Sequence, residues 1–137
     1  MDRQALKNLL PHREPMLLVD QAEKIDAENA TGNYHVKGDE FFLQGHFPGN
    51  PVVPGVILCE MMAQTCCVLF SDTDNKKTPY FTGLNKVKFR EKVLPGDTLE
   101  ITCTITASKP PFYFAKGVGR VNGKIAVSGE FSFALME

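Results

Sequence analysis

The chain has no tryptophan, and its 137 residues carry a formal net charge of only −1. That balance excludes the basic surface a nucleic-acid binder needs, so no nucleic-acid partner is expected. No Cys-x-x-Cys pair occurs among the four cysteines, Cys59, Cys66, Cys67 and Cys103, which argues against a disulfide framework. Three of them fall in an apolar run and one in a strand pattern, where free thiols pack as small hydrophobes, and a reducing cytoplasm suits them. There is no HExxH, no carboxylate cluster and no GxSxG elbow, so neither a metal centre nor an α/β-hydrolase nucleophile is expected. The opening residues lack the apolar core of a secretory signal. The longest apolar stretch, 56–70, is about 15 residues against the roughly 20 that span a bilayer, and it carries a carboxyl; no membrane partner is expected. The length suits one domain over 1–137.

What is present is organised around residues 45–70. The first part reads Gly-His-Phe-Pro-Gly-Asn-Pro-Val-Val-Pro-Gly. Pro48, Pro51 and Pro54 each fix a φ angle, and the glycines allow close backbone approach, so this is a stiff loop. Pro54 suits the first position of a helix. From Val56 to Phe70 only Glu60, Gln64 and Thr65 are polar, and a helix apolar on nearly all sides must be surrounded by protein. Glu60 is the anomaly, because Glu is rarely buried without a partner. Gln64, one turn on, is placed to bond it, and His46 stands in the preceding loop. An acid and a base in an apolar cleft suit proton transfer. A core Glu tied to the backbone and an exposed loop His explain the same residues, and these residues alone leave both readings open.

Around this centre the chain reads as strand-rich. Residues 2–10 predict a short helix capped by Asp2. Residues 16–25 and 30–36 predict strands, followed by a polar connection over 71–77 after the helix. Further strands are predicted over 79–90, 98–108, 112–121 and 124–135, with Asn122-Gly123 a hairpin turn and Gly129 a bulge or bend. Adjacent strands joined by tight turns imply an antiparallel sheet, hence α+β: a curved sheet wrapped around one long central apolar helix. The helix side left open suits closure against a second copy.

Residues 45–56, with Glu60 and Ala63-Gln64, resemble the signature of the (3R)-hydroxyacyl-[acyl-carrier-protein] dehydratases of fatty-acid synthesis, single-hotdog type. Leu-Pro-His-Arg-Glu-Pro-Met-Leu-Leu-Val-Asp at 10–20 is similar to that family's N-terminal motif, and Val87-Lys88-Phe89-Arg90, Pro95-Gly96-Asp97 and the last hairpin match its C-terminal half. The family commonly has aromatics near Glu14 and Met16, and small residues where Thr65, Cys66 and Cys67 stand here. The resemblance implies a hotdog fold and a homodimer, often a trimer of dimers. It also implies a substrate carried on the phosphopantetheine of acyl carrier protein, with no cofactor of the enzyme's own. It places His46 of one subunit opposite Glu60 of the other. His46 then takes the α-proton, Glu60, kept protonated by apolar surroundings, gives one to the leaving hydroxyl, Gly55 N–H polarises the thioester carbonyl, and Gln64 supports Glu60. The run Lys86, Lys88, Arg90 and Lys92 is either a solvated strand face or a patch for the acidic carrier. His12 and His35 read as structural or surface residues. Alternatives are a hotdog acyl thioesterase, a dehydratase-isomerase (whose helix usually carries Asp rather than Glu) and a non-catalytic acyl-carrier-binding subunit.

Overall fold

Six antiparallel strands form one sheet that curves over a central helix, as a computed structural model describing residues 1–70 and 77–137 shows. The polar connection expected after the helix lies outside the described residues except for Lys77. The strands are β1 (Gln21–Lys24), β2 (Asn29–His35), β3 (Thr78–Phe89), β4 (Thr98–Lys109), β5 (Phe112–Val121) and β6 (Lys124–Met136), in the order β1-β2-β4-β5-β6-β3. The Asn122-Gly123 turn sets the register of the last hairpin by pairing Val121 with Lys124. Both turn residues have positive φ, 51° and 81°, as such a tight turn demands. In β4, Leu99, Ile101, Cys103 and Ile105 point into the core while their neighbours point out, which is the period-two pattern of a half-buried strand.

The central helix, α2 (Gly55–Cys67), continues into a short 3-10 turn at Val68–Phe70. Met61 and Met62 are fully enclosed beneath the sheet, and burial of each contributes about 1.5–3 kcal/mol. The sheet approaches α2 closely because β2 has a glycine there: a Cβ on Gly32 would stand 2.8 Å from Thr65 Oγ1. All four cysteines are free. Burial pushes the thiols of Cys66, Cys67 and Cys103 up, which leaves them packing groups rather than nucleophiles. Among the described residues no helix is long and apolar enough to cross a membrane.

Two expectations are corrected. Residues 16–25 form a strand only at Gln21–Lys24. Leu17, Leu18 and Val19 are buried, as their apolar run requires, but side chains and the Arg13 carbonyl, which accepts from Leu17 N–H, rather than a neighbouring strand, bond their backbone. Leu18 N–H donates to Gln64, Met16 carbonyl accepts from Gln64, and the carbonyls of Leu17 and Val19 accept from Arg3 of the short helix α1 (Arg3–Leu6). The second correction moves the bulge to the facing strand. Gly129 pairs regularly with Gly117, while Lys86, at φ 53°, and Val87 crowd opposite it. The bare Cα of Gly129 makes room for Val87, whose Cγ2 would lie 2.8 Å from an added Cβ.

Strand β3 sits at the end of the sheet and pairs only with β6 among the described residues. It is 12 residues long and exposes Tyr80, Phe81, Leu84 and Phe89 by 42–57%. A long apolar edge of this kind is a template for another strand.

Candidate active site

The loop that carries His46 is anchored at both ends. Glu40 accepts from the N–H groups of Lys37 and Gly38 and from the hydroxyl of Tyr34, and so fixes the entry. Val53 N–H donates to Val93 carbonyl across 2.9 Å and fixes the exit. Between them Gly45 and Gly49 take φ of +80°, which only glycine adopts without strain. Phe47 is also at positive φ, 95°, where a bulky residue is strained. That backbone holds its ring against the His46 imidazole at a centroid distance of 4.1 Å. His46 Nδ1 lies 2.8 Å from Val52 carbonyl oxygen. A carbonyl only accepts, so Nδ1 carries the proton and Nε2 of the neutral ring keeps its lone pair. That is the arrangement a general base requires.

His46 lines an open groove of about 590 Å³ together with Phe47, Gly55, Phe89, Arg90 and Lys92. Gly55 is the first residue of α2, so its N–H has no intrahelical acceptor. It is also bare by necessity, since a Cβ there would meet the Phe89 ring at 2.7 Å.

Glu60 and Gln64 lie in a different place. They line a small cavity of about 30 Å³ with His12, Cys67, Phe81 and Phe133. Within one chain the structure therefore joins His46 with Gly55, and Glu60 with Gln64, but brings neither pair to the other. Gln64 is 1% exposed and fully engaged. Its Oε1 accepts from Leu18 N–H, and its Nε2 donates to Met16 carbonyl and to Glu60 Oε2, each at 2.8 Å. Gln64→Leu is expected to cost about 2–5 kcal/mol of stability, because it orphans a buried donor and an acceptor at once. Denaturant unfolding reads this directly, and a loss below about 1 kcal/mol contradicts it.

Glu60 also departs from expectation. Desolvation pushes its carboxyl up, but hydrogen bonds from His12 and Gln64, with the charge of His12, outweigh burial and hold it below the ordinary carboxylate value. Its side chain keeps 22% exposure. In this state Glu60 is ionised near neutral pH rather than protonated. The unforeseen partner is His12, whose Nε2 stands 3.3 Å from Glu60 Oε2. Its only sequence signal is its place in the Leu-Pro-His-Arg run, which says nothing about what it faces. His35 is a surface residue as expected, with Nδ1 2.9 Å from Thr98 Oγ1.

The FabA-like domain model matches residues 10–130. The chain is 42% identical over 137 residues to a 3-hydroxyacyl-[acyl-carrier-protein] dehydratase FabZ of Clostridium perfringens, covering 98% of this chain and 99% of the relative. It is 40% identical to the FabZ of Acetivibrio thermocellus, covering 96% and 92%. Among solved structures, the dehydratase heterocomplex ApeI:P from Xenorhabdus doucetiae superimposes with a TM-score of 0.81 at 22% identity, over 96% of this chain and 91% of that one, and shares its fold. The match to the family model, together with this degree of identity along nearly the whole length, makes the chain a member of the FabA-like family, in the branch of the 3-hydroxyacyl-[acyl-carrier-protein] dehydratases.

Proposed function

We propose that the protein removes water from (3R)-hydroxyacyl thioesters borne by acyl carrier protein, giving trans-2-enoyl thioesters, and that it does so as a homodimer. One observation carries the reading: a single chain holds two incomplete half-sites at opposite ends of β3. The His46 groove includes Phe89, at one end of the strand, and the Glu60 cavity includes Pro79 and Phe81, at the other. Two copies related by a two-fold axis through this exposed edge pair their β3 strands antiparallel. The end of one strand then meets the start of the other, and the His46 groove of each protomer opens onto the Glu60 cavity of its partner.

In that composite site His46 Nε2 takes the α-proton, while Gly55 N–H polarises the thioester carbonyl as negative charge develops on its oxygen. Glu60 gives a proton to the β-hydroxyl, which leaves as water as the double bond forms. The dyad works with one proton between its two members. With Glu60 ionised and His46 protonated it is ready for hydration, and the opposite placement is ready for dehydration. An acyl chain that excludes water strengthens the desolvation of Glu60 and moves it toward the protonated form.

Arg90 and Lys92 on the rim of the His46 groove supply positive charge for an acidic carrier. The test is mass analysis of a 3-hydroxyacyl-carrier substrate after incubation. Loss of one water without release of free thiol is the expected result, and thiol release instead establishes a thioesterase. Raising ionic strength is expected to raise KM for the carrier-borne substrate while leaving a small crotonyl thioester unaffected. Equal sensitivity of the two removes the docking role.

A further inference from the structure

We infer that His12 is a positioning residue: it grips one oxygen of Glu60 so that the other is presented to the substrate hydroxyl. This rests on Glu60 acting as proposed above. Both donors that reach the carboxyl, His12 Nε2 at 3.3 Å and Gln64 Nε2 at 2.8 Å, converge on Oε2. Oε1 makes no such bond among the described residues, and it is the oxygen left for substrate. The second nitrogen of His12, Nδ1, is buried with no hydrogen-bond partner among the described residues. In most structures the polar atoms of a buried scaffolding side chain are bonded, because an unpaired buried polar atom is costly. The placement of this ring is accounted for by its contact with Glu60.

Gln64 cannot do this work alone. It is tied to Leu18 and Met16 and brings no charge. The other groups around the carboxyl are Cys59 and Cys67 on α2, Pro79 and Phe81 on β3 and Phe133 on β6. The two thiols are pushed up by burial and by Glu60 itself, and the rest do not titrate. His12 is therefore the one basic group of the same chain that faces Glu60 among the described residues. Its bond, and its charge when the ring is protonated, oppose the desolvation that burial imposes.

The experiment is the pH profile of crotonyl-thioester hydration, in which Glu60 serves as the base, for His12→Phe and His12→Gln beside the unmodified enzyme. Removing His12 leaves Gln64 alone to oppose desolvation and raises the carboxyl, so the acid limb of kcat/KM in His12→Phe is expected to move up by about one pH unit. On the neutral plateau kcat is expected to fall about tenfold, with KM changed less than about threefold, because the carboxylate is still present but no longer aimed. His12→Gln keeps an N–H at similar reach, and is expected to recover more than half of both effects. Should His12→Phe fail to fold, His12→Asn takes its place, since its amide stops short of Glu60. An unmoved limb with unchanged kcat, or equal impairment in the Gln and Phe variants, overturns the inference. Full activity of Glu60→Gln in the same assay overturns the underlying assignment of Glu60 instead.

Discussion

Glu60→Gln is expected to lower kcat for hydration of a crotonyl thioester by about 10²–10⁴-fold, with His46→Ala falling in the same range. The Gln substitution isolates proton exchange from shape. An amide fills the same volume and still accepts from Gln64 Nε2, which now reaches Glu60 across 2.8 Å, but it neither takes a proton from water nor returns one. His46→Ala removes the lone pair that the Nδ1–Val52 bond leaves on Nε2, and with it the route for the α-proton. Neither change opens the enclosed core: His46 and Glu60 are both partly exposed, whereas Met61 and Met62 on the buried side of α2 remain in place. The expected signature is therefore a collapse of kcat in proteins with native circular dichroism and unchanged assembly. A folded variant within tenfold of the unmodified enzyme removes that residue from the chemistry.

The parts of this arrangement legible in the sequence are those fixed by local rules. A Pro-bracketed loop, an apolar run opened by Pro54 and an Asn-Gly turn each admit few conformations, and all three fall where expected except that Pro54 is the N-cap of α2 rather than its first helical residue. The segment 16–19 misleads because an apolar run shows only that it is buried. Much of its backbone is satisfied by Arg3 and by Gln64, the latter 46 residues from Leu18, and no local pattern carries that. The same separation hides His12 from Glu60. It also reverses the expected ionisation of Glu60: an apolar neighbourhood in sequence implies a raised carboxyl, while His12, delivered from elsewhere, joins Gln64 of the same helix in holding it down. The split of the site into two cavities, one reaching Phe89 and the other Phe81 on β3, is likewise a property of the fold, not of the spacing between His46 and Glu60.

Mixing two dead variants is expected to restore activity, which makes the most direct test of a site shared between protomers. A homodimer of His46→Ala has no base in either site, and a homodimer of Glu60→Gln has no acid. In a dimer with one chain of each, one site receives both defects. The other combines His46 from the Glu60→Gln chain with Glu60 from the His46→Ala chain, and is whole. Random exchange of subunits makes about half the dimers mixed, each with one working site of two, so a refolded equimolar mixture is expected to show about a quarter of unmodified activity. Mixed dimers isolated through two different affinity tags are expected to show about half. If His46 and Glu60 of the same chain served each other, every chain in the mixture would still carry its own defect and nothing would return. Recovery thus separates the two arrangements without any assumption about rate constants, and an inactive, properly mixed dimer refutes pairing across the β3 edge.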